Sequence, residues 1–335
     1  MTEHVVVRAP GKLFVLGEYA VLHGCPAIVA AIDRYVEVRA RRREDSRVRF
    51  NAPGLSARLE FDAGRPPTSA PLRFALAAYE RVTVRHGNLR STGCDVDILS
   101  NLDPETGVKT GLGGSAAISV AVTGALLALG GNDVASSSTR DEIFRSAFEA
   151  HREAQGGSGS GADVAASCYG GLVRVEPRTD GVPQVSRVPL LAEVALLVGW
   201  TGQAASTPSL VERYRSASNG KAAARADFVC RTRACVDAFL SGAWRNSLDT
   251  AGHLLDDLAR ALALPLMTPR LQQLVEIARF HGAGAKHSGA GGGDCGIALV
   301  AQRCAADRIR AAWLDAGITP LNLQLDQQGV HRVPR

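Results

Sequence analysis

Ser115 follows three glycines, Gly111, Gly113 and Gly114, in the stretch KTGLGGSAAIS (109–119), and Lys109 stands just ahead of them. Glycine lets backbone N–H groups turn inward and lets a bulky group approach the main chain closely. From Ser115 to Leu129 the residues are small or apolar and end at Gly130-Gly131, which predicts a buried helix starting at the serine. A helix start adds unpaired N–H donors and the positive end of the helix dipole. Together these make an anion cradle, most often for phosphate. The Ser115 hydroxyl would then bond a phosphate oxygen or ligate a divalent metal. The same residues also suit a tight turn between a strand and a buried helix, and alone they leave both readings open.

The common nucleotide motifs do not account for this cradle. GxxxxGK[ST] is absent. GxGxxG occurs once, at Gly291, Gly293 and Gly296, but it leads into the apolar run IALV instead of opening a helix. There is no GxSxG serine elbow and no HExxH zinc motif.

Lysine usage is also uneven. Of 38 basic residues only Lys12, Lys109, Lys221 and Lys286 are lysines, and three of these lie beside glycine-rich or turn-like segments. Lysine is a compact, mobile point charge and arginine a planar fork, so a retained lysine suggests a need for a compact ammonium. Chance among four residues remains the alternative.

At 335 residues the chain has room for two domains, and 46% apolar and 21% charged residues are ordinary for a soluble globular protein. No apolar run is long enough for a membrane span, and MTEHVVVRAPGK lacks the plan of a signal peptide, so a cytoplasmic protein without a membrane partner is expected. The seven cysteines are scattered without a CxxC pair and read as reduced, mostly buried thiols. A net charge of +5 suits small polyanions. The one basic cluster, RARRRE (39–44), reads as a solvated strand end, and no nucleic-acid partner is expected.

The elements that would position the glycine loop follow from local pattern. Strands are expected at 4–9, 34–42, 94–100, 171–177 and 194–202, and helices at 72–87, 115–129 and 138–155. A second glycine-rich loop, GGSGSGADVAASCYGG (156–171), runs into a short helix. Residues 207–281 are nearly all helical, broken near Asn219-Gly220, Gly242 and Pro265. A third glycine-rich loop, HGAGAKHSGAGGGDCG (281–296), precedes a strand, a helix at 304–316 and a last strand, ITPLNLQL. The composition shift at 176–190 marks the expected domain boundary, giving units 1–187 and 188–335.

Three segments, APGKLFVLGEYAVLHGCPAIVAAID (9–33), KTGLGGSAA (109–117) and HSGAGGGDCGIAL (287–299), resemble in order and spacing the signatures of the GHMP small-molecule kinases. The resemblance spans almost the whole chain. Two further stretches, AHREAQGGSGSGADVAASCYGG (150–171) and VGWTGQAASTPSLV (198–211), look more like the phosphomevalonate kinases than their relatives. The resemblance implies an α+β, two-domain GHMP kinase fold, with an N-terminal ribosomal protein S5 domain 2-like unit and a C-terminal ferredoxin-like unit. It implies ATP and Mg²⁺ as cofactors and phosphomevalonate as acceptor. The alternatives are a mevalonate kinase, or a GHMP-fold ligand sensor without catalysis. Either a monomer or a homodimer would serve.

The same resemblance assigns residues. Lys12, Asp163 and Ser115 would be catalytic, with Ser115 reaching the metal. Lys109, Gly111, Leu112, Gly113, Gly114, Ser115 and Ala116 would hold ATP. Toward the acceptor it implies Lys12, Tyr19, His23, Ser160, Gly161, Asp163 and the third loop at Gly289, Ala290 and Gly291, while Ser206, Thr207, Lys109 and Lys286 are candidates to grip its phosphate. Cys295 and the histidines His253, His281 and His287 read as packing or surface residues. Two departures stand out. Gly114 replaces the first of two serines usual in the second motif. His151, flanked by Glu149 and Glu153, stands where mevalonate kinases carry a metal-binding glutamate. With a hydroxyl acceptor Asp163 would act as general base; with a phosphate acceptor it would mainly hold Lys12 and orient groups.

Overall fold

The computed structural model describes residues 4–103, 108–179, 181–189 and 194–334. Two long antiparallel strands form its spine, β1 (His4–Leu16) and β2 (Ala27–Arg42), joined by a turn with a 3₁₀ segment at Ala20–His23. β3 (Arg47–Ala52) and β4 (Ala57–Asp62) make a hairpin, and after α1 (Arg73–Arg85) and the single turn α2 (Gly87–Arg90), β5 (Cys94–Ser100) inserts between β2 and β3. The alternation on β2 is tight: Val36, Val38 and Ala40 are buried, and Glu37, Arg39 and Arg41 alternate with them on the outer side.

Four helices cover this sheet. α3 (Gly114–Leu129) is the innermost. Nearly every side chain on it is buried, because α1 and α4 (Ser137–Ala154) flank it while β1 and β2 lie beneath. α4 carries its apolar residues on one face, with Ile143, Phe144, Ala147 and Phe148 buried. It starts at Ser136, whose side chain accepts from Thr139 N, a cap that contributes about 1 kcal/mol. α5 (Ala162–Tyr169) is short and packs on β1, and Ser167 Oγ donates to Pro10 O at 2.7 Å. β6 (Leu172–Glu176) then returns to β2, and β7 (Gln184–Val188) pairs with β6.

The second sheet is antiparallel and four-stranded, in the order β11-β8-β10-β9. It is built from β8 (Ala195–Trp200), then α6 (Thr207–Ser218), α7 (Ala222–Leu240), α8 (Trp244–Leu262) and α9 (Pro269–Phe280), then β9 (Gly284–His287), β10 (Cys295–Val300), α10 (Arg303–Asp315) and β11 (Thr319–Leu321). The helix breaks fall at the expected glycines and proline. α10 and β11 follow the sequence reading, except that only Thr319–Leu321 of the last expected strand is extended.

The chain then goes back. Asp33 N donates to Gln324 O and Gly171 N to Asp326 O, and β12 (His331–Arg332) pairs with β1. Val330 is fully buried against Gly124 of α3 and Val7 of β1. Residues 323–334, which a single cut at 187/188 assigns to the second unit, therefore complete the first sheet. β7 likewise occupies a stretch that reads as linker, and it is polar and exposed because it is an edge strand.

The basic cluster at the end of β2 is partly paired in place. Asp95 receives Arg41 at 2.6 Å, Arg43 at 3.0 Å and Arg49 at 2.8 Å. All seven cysteines are free, five of them buried. Among the described residues no helix is long and apolar enough to cross a membrane.

Candidate active site

The glycine loop runs directly into α3. Gly111 has φ +78° and Gly113 φ +88°, a backbone region that disfavours a side chain. A Cβ on Gly111 would lie 2.4 Å from Asp294 Oδ2, and one on Gly113 would lie 2.7 Å from Lys12 Cγ. The lysine stem therefore lies across the bare backbone of Gly113. Lys12 N donates to Leu112 O at 2.8 Å and its ammonium to Gly111 O at 3.0 Å. The Leu112 side chain is itself buried, so this residue serves through its main chain.

α3 has no side-chain cap and no acid in its first turn. The N–H groups of Gly114, Ser115 and Ala116 come before Ala117, the first to donate within the helix (to Gly113 O), so they have no intrahelical acceptor and can meet an anion. These amides and the neighbouring ammonium fit a triphosphate. Among the described residues no three His, Cys, Asp or Glu side chains cluster as a metal cage. A Mg²⁺ ion here would thus rely on Ser115 Oγ and on phosphate oxygens, which is how this ion is commonly held beside nucleotides.

Behind the α3 start stand His151 and Asp163. His151 Nε2 lies 3.1 Å from Ser115 Oγ and 3.7 Å from Asp163 Oδ2. Asp163 is in the first turn of α5, following Gly161 at φ +73°. Its carboxylate accepts from Val164 N and lies beside the His151 ring, and it makes no ion pair with Lys12, in contrast to the expected Lys12–Asp163 contact. Ser167 still ties α5 to β1, so Lys12 and Asp163 ride on joined elements. Ser160 Oγ accepts from Ala162 N at 3.4 Å and closes the loop before α5.

The third glycine loop leans on the first two motifs. Tyr19, at φ +57°, is buried, and its hydroxyl donates to Ala290 O at 2.7 Å. Burial pushes its phenol well above the usual range, so it remains a hydrogen-bond donor and not a titrating group. Gly291 passes so close to Leu266 O that a Cβ would sit at 2.6 Å, and Gly289 N approaches Glu18 at 3.4 Å. Ser288 Oγ donates to Phe14 O, and Cys295 Sγ to Thr110 O.

Lys286 needs correction as a phosphate ligand. It is fully buried, its ammonium is bonded to Glu18 and to His287 O, and it faces no cleft. His23 is exposed on the rim of a Tyr19–Tyr214 ring pair, its ring 5.7 Å from that of Tyr214. Lys109 is exposed beside the glycine loop, and Ser206 and Thr207 are exposed where α6 begins.

One residue that sequence reasoning missed joins these loops. Asp294 Oδ1 accepts from Ala205 N at 2.8 Å, its carbonyl accepts from Thr201, and its carboxylate packs on Gly111. It holds φ +54° without being glycine. Burial raises its carboxyl above the ordinary range, with Lys12 opposing. A non-glycine residue ending a run of glycines was the available signal.

The chain matches two family descriptions, GHMP kinases N terminal domain over residues 73–171 and GHMP kinases C terminal over 236–319, together more than half its length. It is 33% identical to a phosphomevalonate kinase of Streptomyces sp. strain CL190, across 97% of this chain and 98% of that protein. It is 30% identical to a mevalonate kinase of Pyrococcus furiosus, across 97% of each. Its fold superposes with a TM-score of 0.78 on Streptococcus pneumoniae phosphomevalonate kinase in complex with phosphomevalonate and AMPPNP, at 26% identity over 96% of this chain and 99% of that one.

Proposed function

The chain belongs to the GHMP kinase family, and from this premise we propose that it transfers the γ-phosphoryl group of ATP to 5-phosphomevalonate, forming 5-diphosphomevalonate and ADP. The observation that carries the reading is the meeting of Lys12 with the glycine loop at the uncapped start of α3.

Phosphoryl transfer depends on positioning and charge neutralisation more than on covalent help. In this reading the amides of Gly114, Ser115 and Ala116 hold the triphosphate, and the Lys12 ammonium faces the moving phosphoryl group. Mg²⁺, reached by Ser115, supplies further neutralisation when bound. An acceptor phosphate with pKa near ~6 is already largely ionised at neutral pH, so Asp163 orients and does not need to abstract a proton. Lys109, Ser206 and Thr207 remain exposed near the loops and are the groups proposed for the acceptor's own phosphate.

The identity with a mevalonate kinase over nearly the whole chain supports a second reading, transfer to the mevalonate hydroxyl. There Asp163 would act as general base. Measuring ADP release with no acceptor, mevalonate, phosphomevalonate and diphosphomevalonate separates the two. Release with phosphomevalonate alone upholds the proposal. Release with mevalonate alone transfers the assignment to the second reading, and nucleotide binding without turnover on any acceptor leaves a ligand sensor.

A further inference from the structure

His151 is 3% exposed, on the inner face of α4, and Phe74 stacks on its ring at 5.1 Å and 27°. One ring nitrogen, Nε2, is shared by three polar groups on three segments. Ser115 Oγ at the start of α3 is at 3.1 Å, Asp163 Oδ2 on α5 at 3.7 Å, and Gln155 Nε2 just past α4 at 3.3 Å. The acids flanking His151 turn away: Glu149 pairs with Arg85 at 2.7 Å and Glu153 with Arg81 at 2.5 Å. No carboxylate of α4 therefore reaches Ser115, and the imidazole stands alone there.

We propose that His151 is a positioning residue for phosphoryl transfer, which selects the Ser115 side-chain rotamer and sets the spacing of Asp163 from it. The proposal rests on the kinase reading above. A serine in a helix's first turn has three staggered positions, and its hydroxyl readily bonds back to local main chain. The imidazole competes for that hydroxyl from a rigid site, since Phe74 fixes the ring plane. Whichever partner carries the proton, a Ser115 lone pair remains directed away from His151, toward the space before α3. With Ser115 free to rotate, the triphosphate would still be bound by main-chain amides. The loss would then fall on turnover and not on ATP affinity.

His151→Phe keeps a flat ring against Phe74 and removes the nitrogen; His151→Gln returns an amide near the Nε2 position. With whichever acceptor the wild type turns over, H151F should lower kcat about tenfold to a hundredfold, with KM for ATP changed less than about threefold. H151Q should recover most of that loss. In an S115A background H151F should cause no further loss, because the two act as one unit. Wild-type kcat in H151F, or effects of H151F and S115A that simply multiply, would overturn the proposal. If H151F does not fold, ¹⁵N spectra of histidine-labelled wild type and S115A decide. A changed His151 Nε2 resonance is expected, and an unchanged one overturns the idea. The spectra need no acceptor, so this result stands apart from the choice of substrate.

Discussion

Glu18 and Lys286 form an ion pair sealed from solvent, with side chains 3% and 0% exposed, and it joins the turn after β1 to the strand that enters the third glycine loop. Burial pulls the lysine below its ordinary range and the glutamate opposes this. Removing one partner leaves a buried charge alone, which typically costs about 3–5 kcal/mol. Lys286→Met and Glu18→Gln should each be destabilised by that order in urea unfolding. The double change Glu18→Leu/Lys286→Met should regain most of it. Equal losses in single and double variants would show that the pair acts through something other than charge.

His287 sits next to that pair, fully buried, and neither ring nitrogen has a hydrogen-bond partner. Burial and the Lys286 charge push its pKa down to about 3. In the unfolded chain the ring titrates near ~6.5, so between there and about pH 3 the unfolded state binds the extra proton. Stability is therefore full above pH ~6.5 and falls as the solution is acidified, by at most about 1.4 kcal/mol per pH unit from this group. H287F should lose less stability than wild type between pH 6.5 and 4.5. Parallel unfolding curves across that range would refute the linkage.

Gly113 has no room for a methyl group, because the Lys12 stem crosses it and its φ is +88°. Gly113→Ala should displace Lys12 and so mimic loss of its charge. Lys12→Met should lower turnover about 10²–10³-fold, the scale of losing one charge-stabilising donor. G113A should approach that loss in steady-state assays while its thermal midpoint falls by only a few degrees. A fully active G113A would mean that the stem is free to lie elsewhere.

The parts legible from residue types are those governed by local rules. The glycine loop, the buried helix behind it and the breaks at Asn219-Gly220, Gly242 and Pro265 all follow from backbone freedom and apolar spacing. Lys286 was not legible. A lysine among glycines reads as exposed, and only a partner 268 residues away, Glu18, makes its burial tolerable. The β3–β4 hairpin is absent from the strands expected above although its pattern was legible: RVRFNA and ARLEFD alternate polar with apolar residues, with Val48, Phe50 and Phe61 buried and Arg47 paired with Asp62 across the outer face. The Asp163–His151 contact depends on how α4 and α5 dock, which no short-range pattern records.

The return of residues 323–334 to the first sheet has a consequence for synthesis on the ribosome. The strand bearing Lys12 is made early, but its outer neighbour β12 and the Val330 plug against α3 emerge only after the whole second sheet. A nascent chain arrested before residue 323 must wait with one edge of β1 open, and it should stay cleavable there by protease until release. Vectorial folding thus delays the pairing of that edge of β1 until a partner made after the second sheet arrives.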